Sequence, residues 1–508
     1  MAGGSYVGLD IGSTLMKVAE VRRTARGLEV VALGLAETPR EAYENSVIVD
    51  VAVMSKAVKA LLKEAGVTTR QCISSVSGQS AVVVRVIEVP KMNPSELKET
   101  MNYEVERHVP FASGGGGVIT DYVPIDRPEG VADGQNMEVL LAAAQQDIID
   151  RHVEMLFAAG LKPVAIDVEP LAIGRTLLEV SGSDGQPGHT VAIVNIGASI
   201  TDIAIYRDKL LCFSRTLPIG GDNFTRSISE YLQVDLATAE KYKYDLGEVI
   251  LDQPGMQHQP AFGGGGAFSA GGAGFTDFTQ PQDPIPTMTT DASPSGRTPF
   301  VAGGTHAPGA PSSPSGRMPF DFSTPGEAPQ PEHGGMDLSG QPQAPQHDSA
   351  RMQAQGEPGE PAFYQPPPAD EGFYQPPVSP DAHLPVPHPA AGSDELKQNV
   401  FAAMSSVLVE LAQELKRSID YYRSRSNDAP IHEILLVGGT AKLRGLPEYL
   451  ESSMDNVPTR IGDPLQNVKV TSKQFSDQRL VDVAPLFPIS IGLGARDLIG
   501  TPGKAKKR

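Results

Sequence analysis

Alternating apolar and polar residues open the chain and predict a β-hairpin. Residues 5–35 have the pattern of strand, turn and strand, with clear period-two alternation from Leu15 to Val21. The segment 72–89 contains two further strand-like runs, and the segment 190–215 contains two or three. Strands of this kind, separated by helical segments, are typical of an α/β protein.

Apolar residues at helical spacing predict helices between these strands. The segment 51–65 ends at Gly66, as a helix capped by glycine does, and 94–108 begins with a proline. A long amphipathic helix is predicted over 394–422. The pattern predicts further helices at 146–159, 170–180, 224–231, 236–244, 446–454 and 489–498, and short strands at 139–144, 164–168 and 434–437.

The composition changes abruptly within residues 253–393. This stretch holds 27 of the 44 prolines and no lysine, so it cannot bury enough apolar surface to offset its ordering entropy. Two short motifs recur in it: residues 293–300 return as 313–320, and residues 363–367 return as 373–377. We predict a disordered insertion within one domain, which is either a neutral spacer or a carrier of aromatic-proline motifs for a partner.

Length and charge restrict the class of protein. The 508 residues predict about three domains, and a net charge of -19 argues against nucleic-acid binding. Two cysteines, Cys72 and Cys212, are too few for a disulfide scaffold, so we expect a reducing compartment. Neither a signal peptide nor a membrane-spanning apolar run is evident. The basic residues from Lys504 to Arg508 suggest either a solvated tail or a weak contact to anionic lipid or an acidic partner.

Two glycine turns of similar pattern stand 185 residues apart, from Asp10 to Asn195. Each follows an apolar strand and a polar residue, carries a hydroxyl, and leads into another alternating strand. A third glycine pair, Gly438 and Gly439, follows a strand near the C-terminus. One such turn is weak evidence, but two hairpins facing each other across a cleft, with a Gly-Gly turn, can hold a nucleoside triphosphate.

Each predicted nucleotide ligand has a chemical reason. Glycine lets the backbone approach phosphate, and serine and threonine hydroxyls donate hydrogen bonds to it. Asp10 can hold Mg²⁺, through water, and Lys17 can meet the β- or γ-phosphate as a point charge. The predicted nucleotide-binding residues are Gly12, Ser13, Thr14, Lys17, Asn195, Gly197, Ala198, Ser199, Thr201, Gly220, Gly221, Glu240, Lys243, Gly438, Gly439 and Thr440.

Two pairs of residues allow alternative interpretations. Asp167 and Glu169, which with Asp10 are the candidate catalytic residues, either orient a water on the γ-phosphate or form a helix N-cap with an exposed glutamate. Glu240 and Lys243 either hold the ribose or the adenine edge or form a simple i,i+3 pair.

The order of these parts resembles the actin/Hsp70/hexokinase ATPase superfamily. Residues 8–17 and 193–203 resemble its two phosphate motifs, 164–176 and 489–498 its connecting segments, and 435–445 its adenosine motif. Within the superfamily the chain most resembles the PilM family of type IV pilus assembly proteins. The motifs that carry this resemblance are 94–111 with its Val-Pro-Phe ending, 158–163, 167–172, Arg215 with 218–225, and 411–422 before the glycine pair.

The resemblance implies an actin-like α/β fold with two lobes and a small extra domain like that of FtsA. It assigns residues 1–24, 161–190 and 485–500 to the first lobe, 25–160 to the small domain, 191–252 and 394–484 to the second lobe, 253–393 to the insertion, and 501–508 to a basic tail.

The resemblance also implies a function. Members of the family bind ATP with Mg²⁺ and receive the cytoplasmic N-terminal peptide of the membrane protein PilN, beneath the inner membrane. This implies indirect partners in PilO and PilP, contacts with the assembly and retraction motor ATPases and the platform protein PilC, and self-association in a ring. No nucleic-acid partner is expected.

One departure from the superfamily bears on catalysis. Asn195 occupies the place of a carboxylate associated with magnesium, so we expect ATP binding with weak or no hydrolysis. Two alternatives remain: a membrane-associated filament protein similar to FtsA, and a small-molecule kinase of the same superfamily. A kinase needs a catalytic base near the second phosphate motif, and Asn195 disfavours it.

Overall fold

The structure is a computed structural model that describes most of the chain. The described residues are 4–78, 81–112, 117–125, 135–182, 187–250 and 394–499. The predicted insertion at 253–393 and the basic tail lie outside them, as does most of the glycine-rich loop at 114–117.

Sixteen strands are formed by the described residues, and the strongest of them follow the predicted alternation. They are β1 (Ser5–Ile11), β2 (Leu15–Thr24), β3 (Gly27–Glu37), β4 (Tyr43–Glu44), β5 (Val47–Ile48), β6 (Gln71–Val76), β7 (Val82–Pro90), β8 (Val118–Ile125), β9 (Asn136–Gln145), β10 (Lys162–Val168), β11 (Thr190–Ile196), β12 (Thr201–Arg207), β13 (Leu210–Leu217), β14 (Glu433–Val437), β15 (Thr459–Ile461) and β16 (Lys469–Val470).

Ten α-helices are formed by the same residues. Asn93 and Glu96 make the capping box that starts the second of them, directly before the predicted Pro94. The helices are α1 (Val51–Glu64), α2 (Pro94–His108), α3 (Gln146–Ala158), α4 (Glu169–Gly174), α5 (Gly221–Leu232), α6 (Leu236–Leu246), α7 (Asp394–Arg425), α8 (Leu446–Ser453), α9 (Asp477–Val483) and α10 (Pro488–Ala495). The predicted single helix at 170–180 is instead α4 followed by a π-helical segment, Arg175–Val180.

Two large sheets repeat one topology. In the first sheet, β3, β2, β1, β6 and β10 lie side by side, and β16 extends the β3 edge. In the second, β13, β12, β11, β14 and β15 follow the same order. In both, the first three strands of the chain order are antiparallel and the last two pair in parallel. The carboxyl ends of the parallel strands therefore meet at one end of each sheet, where the glycine turns lie.

Helix α10 packs directly on β1 and depends on glycine for the close approach. A Cβ on Gly8 would lie 1.9 Å from the Ser490 carbonyl oxygen, and one on Gly492 would lie 1.9 Å from the Ala172 carbonyl oxygen. The backbone of α10 therefore lies close to two others, that of β1 at Gly8 and that of α4 at Ala172. This contact fixes the position of the strand that carries Asp10.

A third, small sheet stands beside the first, in the order β7, β9, β8, with α2 on its outer face. Its central strand is buried on both faces. Val139, Leu141 and Ala143 pack with α2, whereas Leu140, Ala142 and Ala144 belong to the core of the first sheet. The strands β3 and β6 lie in the first large sheet, so the range 25–160 contributes to both this sheet and the small one.

The second large sheet is covered by α7, whose buried face follows the predicted amphipathic pattern. Val400, Met404, Leu408, Leu411 and Leu415 enter one core with β11 and β14. None of the helices in the described ranges has the length and apolar character needed to cross a membrane.

Candidate functional site

The first hairpin, β1–β2, presents a buried ion pair beneath a glycine turn. The Gly12 amide donates to the Leu15 carbonyl oxygen at 3.1 Å, which closes the turn. Asp10 lies opposite Lys17 in the strand register, and the Lys17 Nζ donates to the Asp10 Oδ2 at 2.8 Å. Asp10 is only 1% exposed, so its charge depends on this partner.

The segment that follows β3 clamps this hairpin. The Thr38 amide donates to the Thr14 carbonyl oxygen at 2.9 Å, and the Thr38 hydroxyl to the Gly12 carbonyl oxygen at 2.7 Å. The Tyr43 hydroxyl donates to the Ile11 carbonyl oxygen at 3.0 Å. Three carbonyl groups of the turn are therefore held by neighbouring chain, and the amide groups remain the side that a phosphate can approach.

The second hairpin, β11–β12, has the same turn with a different charge beneath it. The Gly197 amide donates to the Ile200 carbonyl oxygen at 2.9 Å. Asn195 lies opposite Asp202, the positions that Asp10 and Lys17 hold in the first hairpin. The Asp202 Oδ1 accepts from the Thr216 hydroxyl at 2.6 Å, while the Asp202 Oδ2 is buried without a hydrogen-bond partner.

The second hairpin is clamped at the same point as the first. The Gly197 carbonyl oxygen accepts from the Gly221 amide at 2.9 Å and from the Thr440 hydroxyl at 3.1 Å. The Asp222 amide donates to the Ala198 carbonyl oxygen at 2.7 Å. Three glycine segments predicted to bind nucleotide, those at 197, 220–221 and 438–440, therefore converge in space.

Two of these glycines are required by close approaches. Gly438 has a φ of +91°, and a Cβ there would lie 2.4 Å from the Ile196 carbonyl oxygen. A Cβ on Gly220 would lie 2.4 Å from the Ala198 carbonyl oxygen. Gly439 has room for a side chain, since the nearest atom to its Cβ position is 3.6 Å away.

The tips of the two hairpins meet. The Ser199 hydroxyl donates to the Ser13 hydroxyl at 3.0 Å across a sequence separation of 186 residues. Both residues are half-buried, and the neighbouring Thr14 is exposed. The structure therefore brings the two predicted phosphate turns face to face.

An acidic cluster lies beneath the tips. Burial raises the pKa of Glu169 well above its ordinary value, and the charges of Asp202 and Asp10 raise it further. Burial also raises the pKa of Asp202, and the neighbouring polar side chains of Thr216, Glu169 and Asn195 oppose this rise. Glu169 is not the exposed residue of the N-cap interpretation, because it is buried at the first turn of α4.

Asp167 is committed to ion pairs. It is fully buried, and its Oδ2 lies 3.1 Å from an Arg175 nitrogen and 3.6 Å from the Arg496 Nε. Its Oδ1 accepts from the Val168 amide at 2.8 Å. The N-cap residue of α4 is Val168, without a side-chain hydrogen bond, so Asp167 neither caps this helix nor faces the hairpin tips with a free oxygen.

Glu240 and Lys243 form the predicted pair on α6, at 2.7 Å. Lys243 also donates to the Gly221 carbonyl oxygen at 3.1 Å and to the Thr225 hydroxyl at 2.8 Å, and Thr225 bonds Glu240. The pair therefore stands beside the glycine that the second hairpin needs. The Thr201 hydroxyl is buried and donates to the Ile219 carbonyl oxygen at 2.7 Å, so it braces the approach to α5.

Four residues that support the site were not found from the sequence: Thr38, Tyr43, Ser74 and His152. The Ser74 hydroxyl donates to the Leu9 carbonyl oxygen at 2.7 Å and lies 2.8 Å from the His152 Nε2. Burial lowers the pKa of His152 to about 4, so the ring is neutral at pH 7. Single polar residues outside glycine motifs carry no pattern that marks such roles.

The described residues include no group of three or more histidine, cysteine, aspartate or glutamate side chains arranged to hold a metal ion directly. Magnesium commonly keeps several waters and takes only one or two protein carboxylates, so a single Asp10 is compatible with the predicted role. The assignment of magnesium to Asp10 remains a prediction.

Two family models match the chain and together cover nearly all of its described parts. The model described as type IV pilus assembly protein PilM matches residues 8–248. The model described as cell division protein FtsA matches residues 192–478.

Curated relatives are more distant. FtsA of Bacillus subtilis (strain 168) is 26% identical over 270 residues, which cover 49% of this chain and 59% of that protein. FtsA of Streptococcus pneumoniae serotype 2 (strain D39 / NCTC 7466) is 26% identical over 264 residues, covering 48% and 56%. The match therefore spans less than two thirds of these relatives.

One solved structure matches along almost the whole chain. It is described as a PilM–PilN type IV pilus biogenesis complex, and it aligns with a TM-score of 0.61 and 22% identity over 97% of this chain and 99% of that one. At this identity the likeness concerns the fold.

Proposed function

The chain belongs to the PilM and FtsA branch of the actin-like ATPase superfamily, and from this premise we propose that it is an ATP-binding docking protein of a type IV pilus assembly system. The resemblance and the fold class inferred from the sequence are thereby confirmed. In the proposed role it binds Mg·ATP between its two hairpins, receives the cytoplasmic N-terminal peptide of PilN, and lies in the cytoplasm at the inner-membrane face.

The observation that carries this proposal is the meeting of the hairpin tips. Ser13 and Ser199 are 3.0 Å apart although they belong to two separate sheets of identical strand order. A ligand that offers oxygens to both turns would replace this contact with hydrogen bonds to each of them. A polyphosphate is such a ligand, because its oxygens are acceptors distributed along a chain.

The residues present fit Mg·ATP. Crowding leaves no room for a side chain at Gly220 or Gly438, so backbone lines this part of the site. Asp10 supplies the carboxylate for water-mediated magnesium, and Lys17 lies beside it to balance phosphate charge. ATP supplies the polyphosphate that would join the lobes, while Asn195 in place of a carboxylate supports retention of ATP rather than rapid hydrolysis.

Calorimetric titration with Mg·ATP tests the nucleotide site. We expect binding by the full chain and at least 10-fold weaker binding by Lys17→Met, since one phosphate partner is removed. Lys241→Met is the matched control, because Lys241 is an exposed lysine on α6 that faces none of the glycine turns. Absence of ATP binding by the parent chain would leave a docking protein without nucleotide.

The groove between the small sheet and the first large sheet is the best place for the PilN peptide. Half-buried apolar side chains line the inner face of the small sheet and pack toward the core of the first large sheet: Val82, Val84, Val86, Ile119, Val123 and Ile125. Partly exposed apolar residues suit a peptide that brings its own apolar side chains. The specific partner rests on the family, not on this geometry.

Peptide titration tests the docking role. We expect the synthetic N-terminal peptide of PilN to bind, and Val84→Asp to weaken binding by 10-fold or more because it buries a charge in the groove. Tyr103→Asp, on the outer surface of α2 where the side chain is 75% exposed, is the control. Equal affinity for the parent and Val84→Asp would place the peptide elsewhere.

Nucleotide and peptide are expected to be coupled. If ATP fixes the angle between the lobes and so the shape of the groove, the factor by which ATP tightens peptide binding must equal the factor by which peptide tightens ATP binding. Links onward to PilO, PilP, the motor ATPases and PilC, and assembly into a ring, belong to the same proposal. They can be tested by reconstitution with the PilN peptide present.

A filament protein similar to FtsA is the second candidate, favoured by the FtsA model over residues 192–478 and by relatives at 26% identity. Sedimentation of the purified chain with and without Mg·ATP separates the two. ATP-dependent pelleting without affinity for the PilN peptide would support the filament.

A further inference from the structure

The end of the first large sheet that lies opposite the hairpins collects positive charge. Arg22 lies near the end of β2 and Arg26 in the turn that follows it, while Arg70 directly precedes β6 and Lys162 begins β10. The last turn of α1 adds Lys63. All five side chains are exposed. We call this surface the basic end.

The strand register explains why these residues share one end. Ser5, the first residue of β1, pairs with Arg22, and Lys162 pairs with Gln71 next to Arg70. The opposite end of β1 carries Asp10. A strand of seven residues spans about 20 Å, so the basic end and the hairpin tips lie on opposite sides of the lobe.

A buried carboxylate holds the basic end together. Glu20 is fully buried and accepts from the Ser5 hydroxyl at 2.8 Å and the Thr68 amide at 2.6 Å. An Arg22 nitrogen lies 3.9 Å from the same carboxylate. Glu20 therefore joins the start of β1 and the loop that leads to Arg70 to strand β2, which carries Arg22.

Little negative charge balances this surface. The nearby Glu29 is occupied by Lys469 at 2.9 Å, and Glu64 accepts from Gln474 at 3.4 Å. Among the residues that the structure describes, no carboxylate lies within 4.0 Å of Arg26, Arg70 or Lys162. A chain with a net charge of -19 thus keeps a cationic face at one end.

An apolar residue stands among these cations. Phe157, in the last turn of α3, is 56% exposed, and the chain turns at Gly160 directly into Lys162. The Arg70 guanidinium lies 3.9 Å from the Cβ position of Gly160, so this cation stands beside the turn that follows the helix carrying Phe157. Exposed aromatic rings beside lysine and arginine are typical of surfaces that rest at the lipid headgroup level.

The C-terminus leads away from the same place. The Arg23 guanidinium donates to the Leu498 carbonyl oxygen, which ties the last described residues to the end of β2. The sequence after them contributes four further cations, at Lys504, Lys506, Lys507 and Arg508. The last described residues therefore lie beside the end of β2, and the sequence after them carries charge of the same sign.

We propose that the basic end docks this protein on an anionic lipid bilayer, with the hairpin tips directed away from the membrane. Each cation near an anionic leaflet raises the affinity for the membrane by about 5-fold, so the contributions of several cations multiply. Phe157 enters the headgroup region while the arginine and lysine side chains meet lipid phosphates. This contact is separate from the peptide groove and is additional to the proposed function.

A bilayer suits the surface better than a nucleic acid. The five cations and Phe157 occupy one end of the lobe, whereas nucleic-acid binding favours cations along a groove or stripe. An exposed phenylalanine gains nothing from a phosphate backbone. Loss of affinity on its removal would therefore distinguish lipid from polyanion.

Vesicle flotation of the full chain tests this proposal. We expect binding to phosphatidylcholine vesicles that contain phosphatidylglycerol, none to phosphatidylcholine alone, and weaker binding as salt rises. Arg26→Glu, Arg70→Glu and Lys162→Glu together should weaken binding by about 100-fold or more. The matched control reverses three exposed lysines elsewhere, with Lys91→Glu, Lys98→Glu and Lys241→Glu.

A second variant and a second probe keep the outcomes separate. Phe157→Ser should weaken vesicle binding several-fold and leave binding to a DNA duplex unchanged. Equal loss in both triple variants, or no preference for anionic vesicles, would overturn the proposal, as would duplex binding tighter than vesicle binding. Affinity for the PilN peptide should be the same in every variant. A negative result with vesicles would therefore overturn the lipid proposal and leave the proposed peptide docking unaffected.

Discussion

The two hairpins are built alike and charged differently. Both lie in sheets of the same strand order, both close with a glycine amide bonded to a carbonyl three residues on, and both are clamped by the segment after the third strand. Beneath the first lies a closed ion pair of Asp10 and Lys17. Beneath the second lies Asn195 opposite an Asp202 whose Oδ2 has no hydrogen-bond partner.

The difference teaches that turn geometry and electrostatics vary independently in a duplicated scaffold. The second hairpin has the same closed glycine turn as the first, yet it carries the amide of Asn195 where the first carries the carboxylate of Asp10. Its remaining carboxyl, on Asp202, has a raised pKa because it is buried. The first hairpin therefore has an ion pair beneath its turn, whereas the second has the same turn geometry without an ion pair.

Among these variants, Gly8→Ala should cause the largest loss in the free energy of unfolding. The first hairpin is backed by helix backbone, since a Cβ on Gly8 would lie 2.6 Å from the Gly494 amide nitrogen, whereas the matching position of the second hairpin is the buried Ile193. We expect a loss of about 3 kcal/mol or more in the free energy of unfolding, measured in urea. Gly66→Ala, where nothing lies within 4 Å of the Cβ position, should cost about 1 kcal/mol for its positive φ. If Gly8→Ala and Gly66→Ala lowered the free energy of unfolding equally, α10 would have shifted to make room for the new methyl group.

Lys17→Met should have the next largest effect. It leaves the buried carboxylate of Asp10 without its partner, and we expect a loss of about 3 kcal/mol in unfolding free energy. The double variant with Asp10→Asn should recover much of the loss, because the uncompensated charge is removed. A double variant no more stable than Lys17→Met would mean that the lysine acts through packing.

The buried carboxyl groups near the second hairpin should make the free energy of unfolding depend on pH. In the native state the pKa values of Glu169 and Asp202 lie above their ordinary values of 4.5 and 3.8. At a pH between the ordinary and the native pKa values, the native state therefore binds more protons than the unfolded state. The free energy of unfolding should therefore fall as pH rises from about 4 through that window. The double variant Glu169→Gln with Asp202→Asn should lose this fall, measured by urea titration across pH. An unchanged slope would contradict the shifts.

The smallest expected effect concerns the contact that joins the hairpins. Ser13→Ala and Ser199→Ala should each cost below about 1 kcal/mol, with a coupling of about 0.5 kcal/mol in a double-variant cycle. The coupling should vanish in the presence of Mg·ATP if nucleotide separates the two hydroxyls. A coupling that persists at saturating nucleotide would mean that the tips do not part.

Sequence patterns predicted the hairpins because alternation and glycine turns are local signals. The helix at 94–108 was predicted to its ends since Asn93, Pro94 and Glu96 are adjacent in the chain. The clamp by Thr38 and the commitment of Asp167 to Arg175 and Arg496 were not predictable, because each depends on residues brought together only by folding. The two-residue strand β16 was missed for the same reason: it forms by pairing with β3.

The junction between α6 and α7 has a consequence for where the chain tolerates inserted residues. Val249 is pinned by the Arg444 carbonyl at 2.8 Å, and α7 packs against α5 as soon as it begins. Both ends of the 251–393 stretch are thus fixed by folded neighbours. The free energy of closing a flexible loop rises only with the logarithm of the loop's length. Added length at this junction therefore raises the free energy of the folded chain much less than in proportion to the number of residues, which makes the junction a tolerant position for inserted sequence.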